Sequence, residues 1–231
     1  MRKISPQDVR DDFKVQLTEL TSFYQAGMSA FANDKDQSTL TEHSLLAAAV
    51  AWEGFVSDLF IAYINGDASR FKQHLQDSFV EHVKAQEKSN RVFQKFGKLQ
   101  LPAHLSKADV QSLANSTGNN ITFPNFDELE KRTITWLVKA HADKFKNLSK
   151  SQKAVVNAVI GLRNHVAHRS QRSLNAMNEL LAVGALHSVG IKRKGNRFHN
   201  VGAWLKATPA QRNESRIETI IKTLETIGTA C

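Results

Sequence analysis

Apolar residues recur every three or four positions along most of the chain, the spacing of amphipathic helices, and capping signals rather than repeats mark the breaks. Ser5-Pro6-Gln7-Asp8 sets a cap residue before a proline and begins a helix bearing Val9, Phe13, Leu17 and Leu20. Thr39-Leu40-Thr41-Glu42 reads as a capping box opening the most apolar helix, which runs through Leu45, Trp52, Val56, Phe60 and Tyr63 to Asn65-Gly66. Asp67 can cap a third helix with Phe71, Leu75, Phe79 and Val83, fraying into a polar, basic segment over 88–97. Ser106 and Asp109 frame a short helix ending near Asn115, and the turn-rich stretch 115–125 forms a loop. Asn125 or Asp127 then starts a helix with Leu129, Ile134, Leu137 and Val138. Ser149-Lys-Ser-Gln152 is a further capping box, and Thr208-Pro209-Ala-Gln211 opens a last helix with Ile217, Ile220, Ile221, Leu224 and Ile227, stopped by Gly228.

This pattern predicts an all-α helical bundle over 1–231 as a single domain. Its motif-bearing core covers 38–175, a basic insert 184–206 and a closing helix 209–228. Four glycines over 184–206 and the run Lys192-Arg193-Lys194-Gly195-Asn196-Arg197 fit either a small β-hairpin near 186–204 or a basic loop. Only one cysteine exists, Cys231, so no intrachain disulfide forms and a reducing, cytoplasmic setting is expected. No apolar run approaches the roughly 18 residues of a membrane span, so no membrane partner is expected. The net charge of +9 is unevenly placed: 144–212 holds thirteen Lys or Arg against one acid, Glu179, so the rest of the chain sums to −3. A long, nearly acid-free basic stretch favours a polyanion such as RNA, because every neutralised phosphate releases counterions.

Within the helix that follows Ser149, Leu162-Arg-Asn-His-Val-Ala-His-Arg-Ser170 gathers a permanent cation (Arg163), an amide (Asn164) and an imidazole (His168) within six residues. At about 100° per residue, Val156, Val159, Ile160, Val166 and Ala167 all fall within about 60° of Arg163, which puts a guanidinium in the middle of an apolar stripe. An anion, a helix end, a second subunit, or an acid such as Glu53 or Asp58 must then meet it. Asn164, His168 and Arg172 are spaced at i, i+4 and i+8 on a polar face, with His165 and Arg169 alongside. His165 and His168 lack a nearby carboxylate, so no metal site is expected. Trp52, Trp136 and Trp204 read as core rather than as base-stacking platforms.

Arg163-Asn164-x-x-x-His168, near the end of a helix, resembles the Arg-x(4–6)-His signature of the HEPN superfamily, including its polar residue after the arginine. The preceding loop-then-helix at 120–125 and the apolar helix with Ala51-Trp52-Glu53-Gly54-Phe55 are similar in layout to the bacterial RiboL-PSP-HEPN branch, over about residues 38–175. The resemblance implies a HEPN-like helical bundle that homodimerises and cuts RNA without metal or cofactor in the cleft between subunits. It implies His168 as general acid or base, Arg163 on the non-bridging phosphate oxygens, and Asn164 orienting the phosphate or the His168 ring. Glu53 and His165 would support them; the basic insert at 184–206 has no counterpart in that layout, and from their charge Arg169, Arg172, Lys192, Arg193, Lys194 and Arg197 are expected to help hold RNA. It also implies a toxin or phage-defence role, with an antitoxin or sensor protein as partner. The other outcome within the family is a non-catalytic nucleotide-binding or interaction module. A monomer with Arg163 satisfied by its own acid would make the motif scaffolding.

Overall fold

A 33-residue helix that buries most of its circumference organises the chain. In the computed structural model, which describes residues 4–97, 99–115 and 120–231, this is α2 (Asp34–Gly66), with eighteen buried positions from Ser38 to Asn65. It is preceded by α1 (Pro6–Ala30) and followed by α3 (Ser69–Lys84), α4 (Glu87–Phe96), α5 (Lys107–Ala114), α6 (Phe126–Trp136) and α7 (Lys139–Lys146). The motif helix is α8 (Lys150–His168), then come α9 (Gln171–Leu180), a 3₁₀ turn (Gly184–Leu186), α10 (Val201–Lys206) and α11 (Arg216–Ala230). The described residues contain no strand, so the fold is all-α and the hairpin alternative at 186–204 is excluded.

Helix α2 packs against α1, α5, α8, α10 and α11. An aromatic cluster ties it to α1, with Phe13 stacked on Phe55 at 4.2 Å between ring centroids and tilted against Trp52 at 6.1 Å. Trp52 and Trp136 are buried, as a core role requires, and Trp204 stacks on Phe198. By length and composition α2 could cross a membrane, contrary to the expectation that no stretch qualifies; here its apolar positions form the core.

Several helix starts follow the local caps: Ser5, Ser106, Asn125 and Ser149 each accept an amide hydrogen at the first turn. Others do not. Helix α2 begins at Asp34, capped by Asn33, and Thr39 instead donates its hydroxyl to the Lys35 carbonyl inside the helix. The basic segment after α3 is not frayed but forms α4, and α6 ends at Trp136, with Leu137 and Val138 forming the break before α7. Helix α11 starts at Arg216 under the Ser215–Glu218 capping box rather than at Thr208-Pro209. Gly228 does not stop α11; it lies inside it, where a Cβ would sit 2.7 Å from the Phe13 ring. Of the loop expected over 115–125, residues 116–119 lie outside the described residues.

Helix α10 lies close against the backbone of α2. A Cβ on Gly202 would fall 2.1 Å from the Ser38 carbonyl oxygen, and the Gly202 amide donates to Glu42 Oε1 at 3.1 Å. Backbone cannot yield as a side chain can, so Gly202→Ala is expected to lower unfolding stability by about 2 kcal/mol, within the range for overpacking. Urea denaturation measures it, and an unchanged midpoint would refute the close approach.

Candidate active site

Helix α8 is fixed before its motif begins. Asn157 accepts the Phe126 amide at 2.7 Å, and Lys153 pairs with Glu130 at 2.6 Å while lying over the Phe126 ring, so the start of α6 is locked to α8. The α8 residues that enter the core are Val155, Val156, Ala158, Val159, Gly161, Leu162, His165 and Val166. On a helical wheel this buried arc is centred roughly 90° away from Arg163. Arg163 therefore borders the apolar stripe instead of standing in its middle, because α2 and α9 cover the Leu162 side and leave the Ala167 side open.

That difference brings the motif together. Arg163 and His168 mark the two margins of one uncovered face of α8, with Ile160, Asn164 and Ala167 between them. The Arg163 side chain is one third exposed; its Nη1 donates to Asn164 Oδ1 at 3.0 Å and its Nη2 faces Glu53 Oε2 of α2 at 3.6 Å. An ion pair this exposed is worth about 1 kcal/mol or less, so its main effect is to aim the guanidinium. Asn164 is thus engaged with the arginine, not with His168. His168 is exposed on the last residue of α8 and has no hydrogen-bond partner among the described residues.

The structure separates the remaining candidates. His165 is 6% exposed and points into the bundle, with Nδ1 3.1 Å from Ser173 Oγ in the capping box of α9. Burial, then the Arg169 cation, hold its pKa below the ordinary histidine value. Arg169 ends α8 in the left-handed conformation (φ 49°) and pairs with Glu42 of α2. The turn it makes takes Arg172 off the α8 polar face and onto α9, where it is exposed. Arg193 and Arg197 bond to α9 through Asn178 and Asn175, while Lys192 and Lys194 project into solvent. Two residues were not singled out for the site in the sequence: Glu42, whose local signal pointed to a capping box and which instead holds both Arg169 and the Gly202 amide, and Arg216, placed beside the basic insert by the fold alone. Among the described residues no group of His, Cys, Asp or Glu is arranged to hold a metal.

The sequence profile of the RiboL-PSP-HEPN family matches residues 11–182, which takes in α2, α8 and the whole motif. The chain belongs to this family. Membership ties this HEPN protein to nucleic-acid-related function. The match extends beyond 38–175 to include most of α1 and all of α9, both of which pack on the motif-bearing helices. No curated protein and no solved structure matches the chain.

The buried His165 has a pH consequence. Its folded pKa is lowered, as are those of His74 and His141, both mainly by burial. Between about pH 6.5 and their lower folded values the unfolded chain therefore binds more protons, so stability present above about pH 6.5 is lost as pH falls towards those folded values. Thermal melts from pH 7.5 to 5 should show a declining midpoint, less steep in His165→Gln; an identical slope in that variant would remove His165 as a contributor.

Proposed function

We propose that this HEPN protein is a metal-independent endoribonuclease whose site forms where two copies of the chain meet on the uncovered face of α8. The observation that supports this reading best is the shared exposure of Arg163, aimed by Asn164 and Glu53, and of unpartnered His168 on that one face. Beside Glu53, α2 also exposes Ala47 and Val50, the latter 58% exposed, next to the half-buried Ala51 and Gly54. These small and apolar side chains, with Ile160 and Ala167 of α8, suit close packing of a second copy about a two-fold axis.

RNA carries its own nucleophile. The 2′-oxygen attacks the adjacent phosphorus, one imidazole takes the 2′-hydroxyl proton, and the P–O5′ bond breaks as a second proton reaches the departing 5′-oxygen. A two-fold axis supplies two copies of His168 for the two transfers. Arg163 donates to the non-bridging oxygens, where charge rises in the transition state. The products are a 2′,3′-cyclic phosphate and a 5′-hydroxyl, and DNA, which has no 2′-hydroxyl, is not a substrate. Such an activity would serve as a toxin or a phage-defence effector restrained by a partner protein in the cytoplasm. The second reading, a non-catalytic module, is favoured by the Glu53–Arg163 pair, which already gives the arginine a counterion.

Purified protein is expected to cleave RNA in EDTA, with Arg163→Ala and His168→Ala each losing about 10²-fold or more in rate at unchanged thermal stability. Retained cleavage in both variants would eliminate the catalytic assignment, and binding without cleavage in the parent would support the module. Growth arrest on expression, relieved by either substitution, is the cellular counterpart. Val50→Glu tests the assembly: it alters a solvent-facing position, so each chain should stay folded while light scattering reports monomer and cleavage falls. A dimer that survives this substitution would move the interface elsewhere.

A further inference from the structure

The basic segment between α9 and α10 is exposed yet pinned to α9. Asn178, 1% exposed on α9, donates to the Phe198 carbonyl and accepts the Phe198 amide, both at 3.3 Å, and its own carbonyl takes Arg193 Nε at 2.6 Å. Arg197 Nη1 donates to Asn175 Oδ1 at 3.1 Å, and the Arg193 amide to the Leu181 carbonyl at 2.8 Å. Residues 193–198 are thereby laid along α9.

Together with the turn at 207–212, this segment walls a cleft of about 950 Å³. Lys192, Arg193, Lys194, Arg212 and Arg216 line it, with no carboxylate in the lining. Arg216 is half-buried over the Trp204 ring at 4.7 Å and donates Nη1 to the Trp204 and Ala207 carbonyls at 3.0 and 3.1 Å. Its Nε has no hydrogen-bond partner among the described residues. Five cations facing one concavity without an acid repel one another, a cost that an anion relieves.

We propose that a single RNA strand leaves His168, follows α9, and seats its phosphates in this cleft. Helix α9 begins three residues after His168, and cations stand along it at intervals of three or four residues. They are Arg172 itself, Arg197 on Asn175, Arg193 on Asn178, and the cleft at Ala182. Each interval is about one helical turn, and the ten residues of α9 rise about 15 Å. A strand stacked at about 3.4 Å per nucleotide covers that distance in four or five nucleotides. One acid, the exposed Glu179, stands on α9 beside this row. The cleft thus supplies affinity remote from the scissile bond, and Arg212 and Arg216, from the turn before α11 and the first residue of that helix, join the basic insert in one binding element.

The inference rests on the cleavage reading only for its starting point at His168, so it is tested by binding. A 2′-O-methyl RNA has no free 2′-hydroxyl and cannot be cut by the proposed route, and Lys192→Gln/Lys194→Gln alters two exposed side chains without partners among the described residues. Fluorescence anisotropy with a ten-nucleotide strand should show about tenfold weaker binding in the double variant, with the salt slope reduced by roughly 0.7 per lysine. A three-nucleotide strand, too short to reach from His168 to the cleft, can occupy only one end of the track and should bind the parent about tenfold more weakly than the ten-mer. Equal ten-mer binding by the two proteins overturns the track while leaving His168-dependent cleavage standing. Equal affinity of the parent for the three-mer and the ten-mer also overturns it, because the cleft would then be a self-contained pocket. A ten-mer loss in a protein that does not cleave RNA would retain the track and remove only the cleavage reading.

Discussion

The burial of α2 is the constraint on which the other features depend. Its apolar positions are distributed almost around the helix, so it can satisfy them only by being surrounded, and α1, α8, α10 and α11 supply the cover. Its few polar residues then become the points at which distant segments are tied in. Asn65 bonds the Ile4 amide and the Leu105 carbonyl, Ser57 accepts the Ile121 amide, Glu42 holds Arg169 and the start of α10, and Glu53 meets Arg163. The motif helix is positioned by the same packing that makes the core, and the arc of α8 from Arg163 to His168 is the part left uncovered.

How much of this could be read from the sequence depends on whether the deciding interaction was local. Ser5, Ser106, Asn125 and Ser149 cap helices through bonds to residues three positions away, and each start was legible. Thr39-x-x-Glu42 carries the same local signal, yet Asn33 wins, because a helix begun at Asp34 lets Glu42 turn outward to Arg169 and Gly202. Gly228 has the look of a stop and is instead a contact made by α11 on Phe13. The candidate site shows the same division. Arg163, Asn164 and His168 were identifiable as a set, whereas the burial of His165, the displacement of Arg172 by the left-handed turn at Arg169, and the position of Arg163 at the stripe margin were decided by which helices cover α8.

Charge counting has a similar limit. The segment 144–212 carries +12, but the fold commits many of its cations internally. Lys153 is paired with Glu130, Arg169 with Glu42 and Lys206 with Asp34, while Lys144 donates to the Cys231 carbonyl at 2.8 Å. Arg193 gives its Nε and Nη1 to main-chain carbonyls, which fixes its place and leaves Nη2 for an outside ligand. What remains for an outside polyanion is a smaller set, gathered along α9 and in the cleft beside α11. The electrostatic footprint is therefore narrower and more directional than composition suggests, and its direction is set by Asn175 and Asn178, two uncharged residues.

The pairing of Arg163 with its own acid does not by itself make the motif scaffolding, as counting donors makes clear. A guanidinium has five N–H donors in a fixed fork. Asn164 takes one from Nη1 at 3.0 Å, and Glu53 stands 3.6 Å from Nη2, beyond the range of a strong charge-assisted bond. Enough donors are left for bidentate contact with a phosphate. In water-rich surroundings the Glu53 attraction is about 1 kcal/mol, and it rises severalfold as solvent is excluded. A second subunit that closes over α8 would strengthen the hold on Arg163 and the hold of Arg163 on a phosphate by the same loss of screening. On the proposed reading Glu53 would be a positioning residue whose influence grows with assembly, and the scaffold and the site would be two states of one contact.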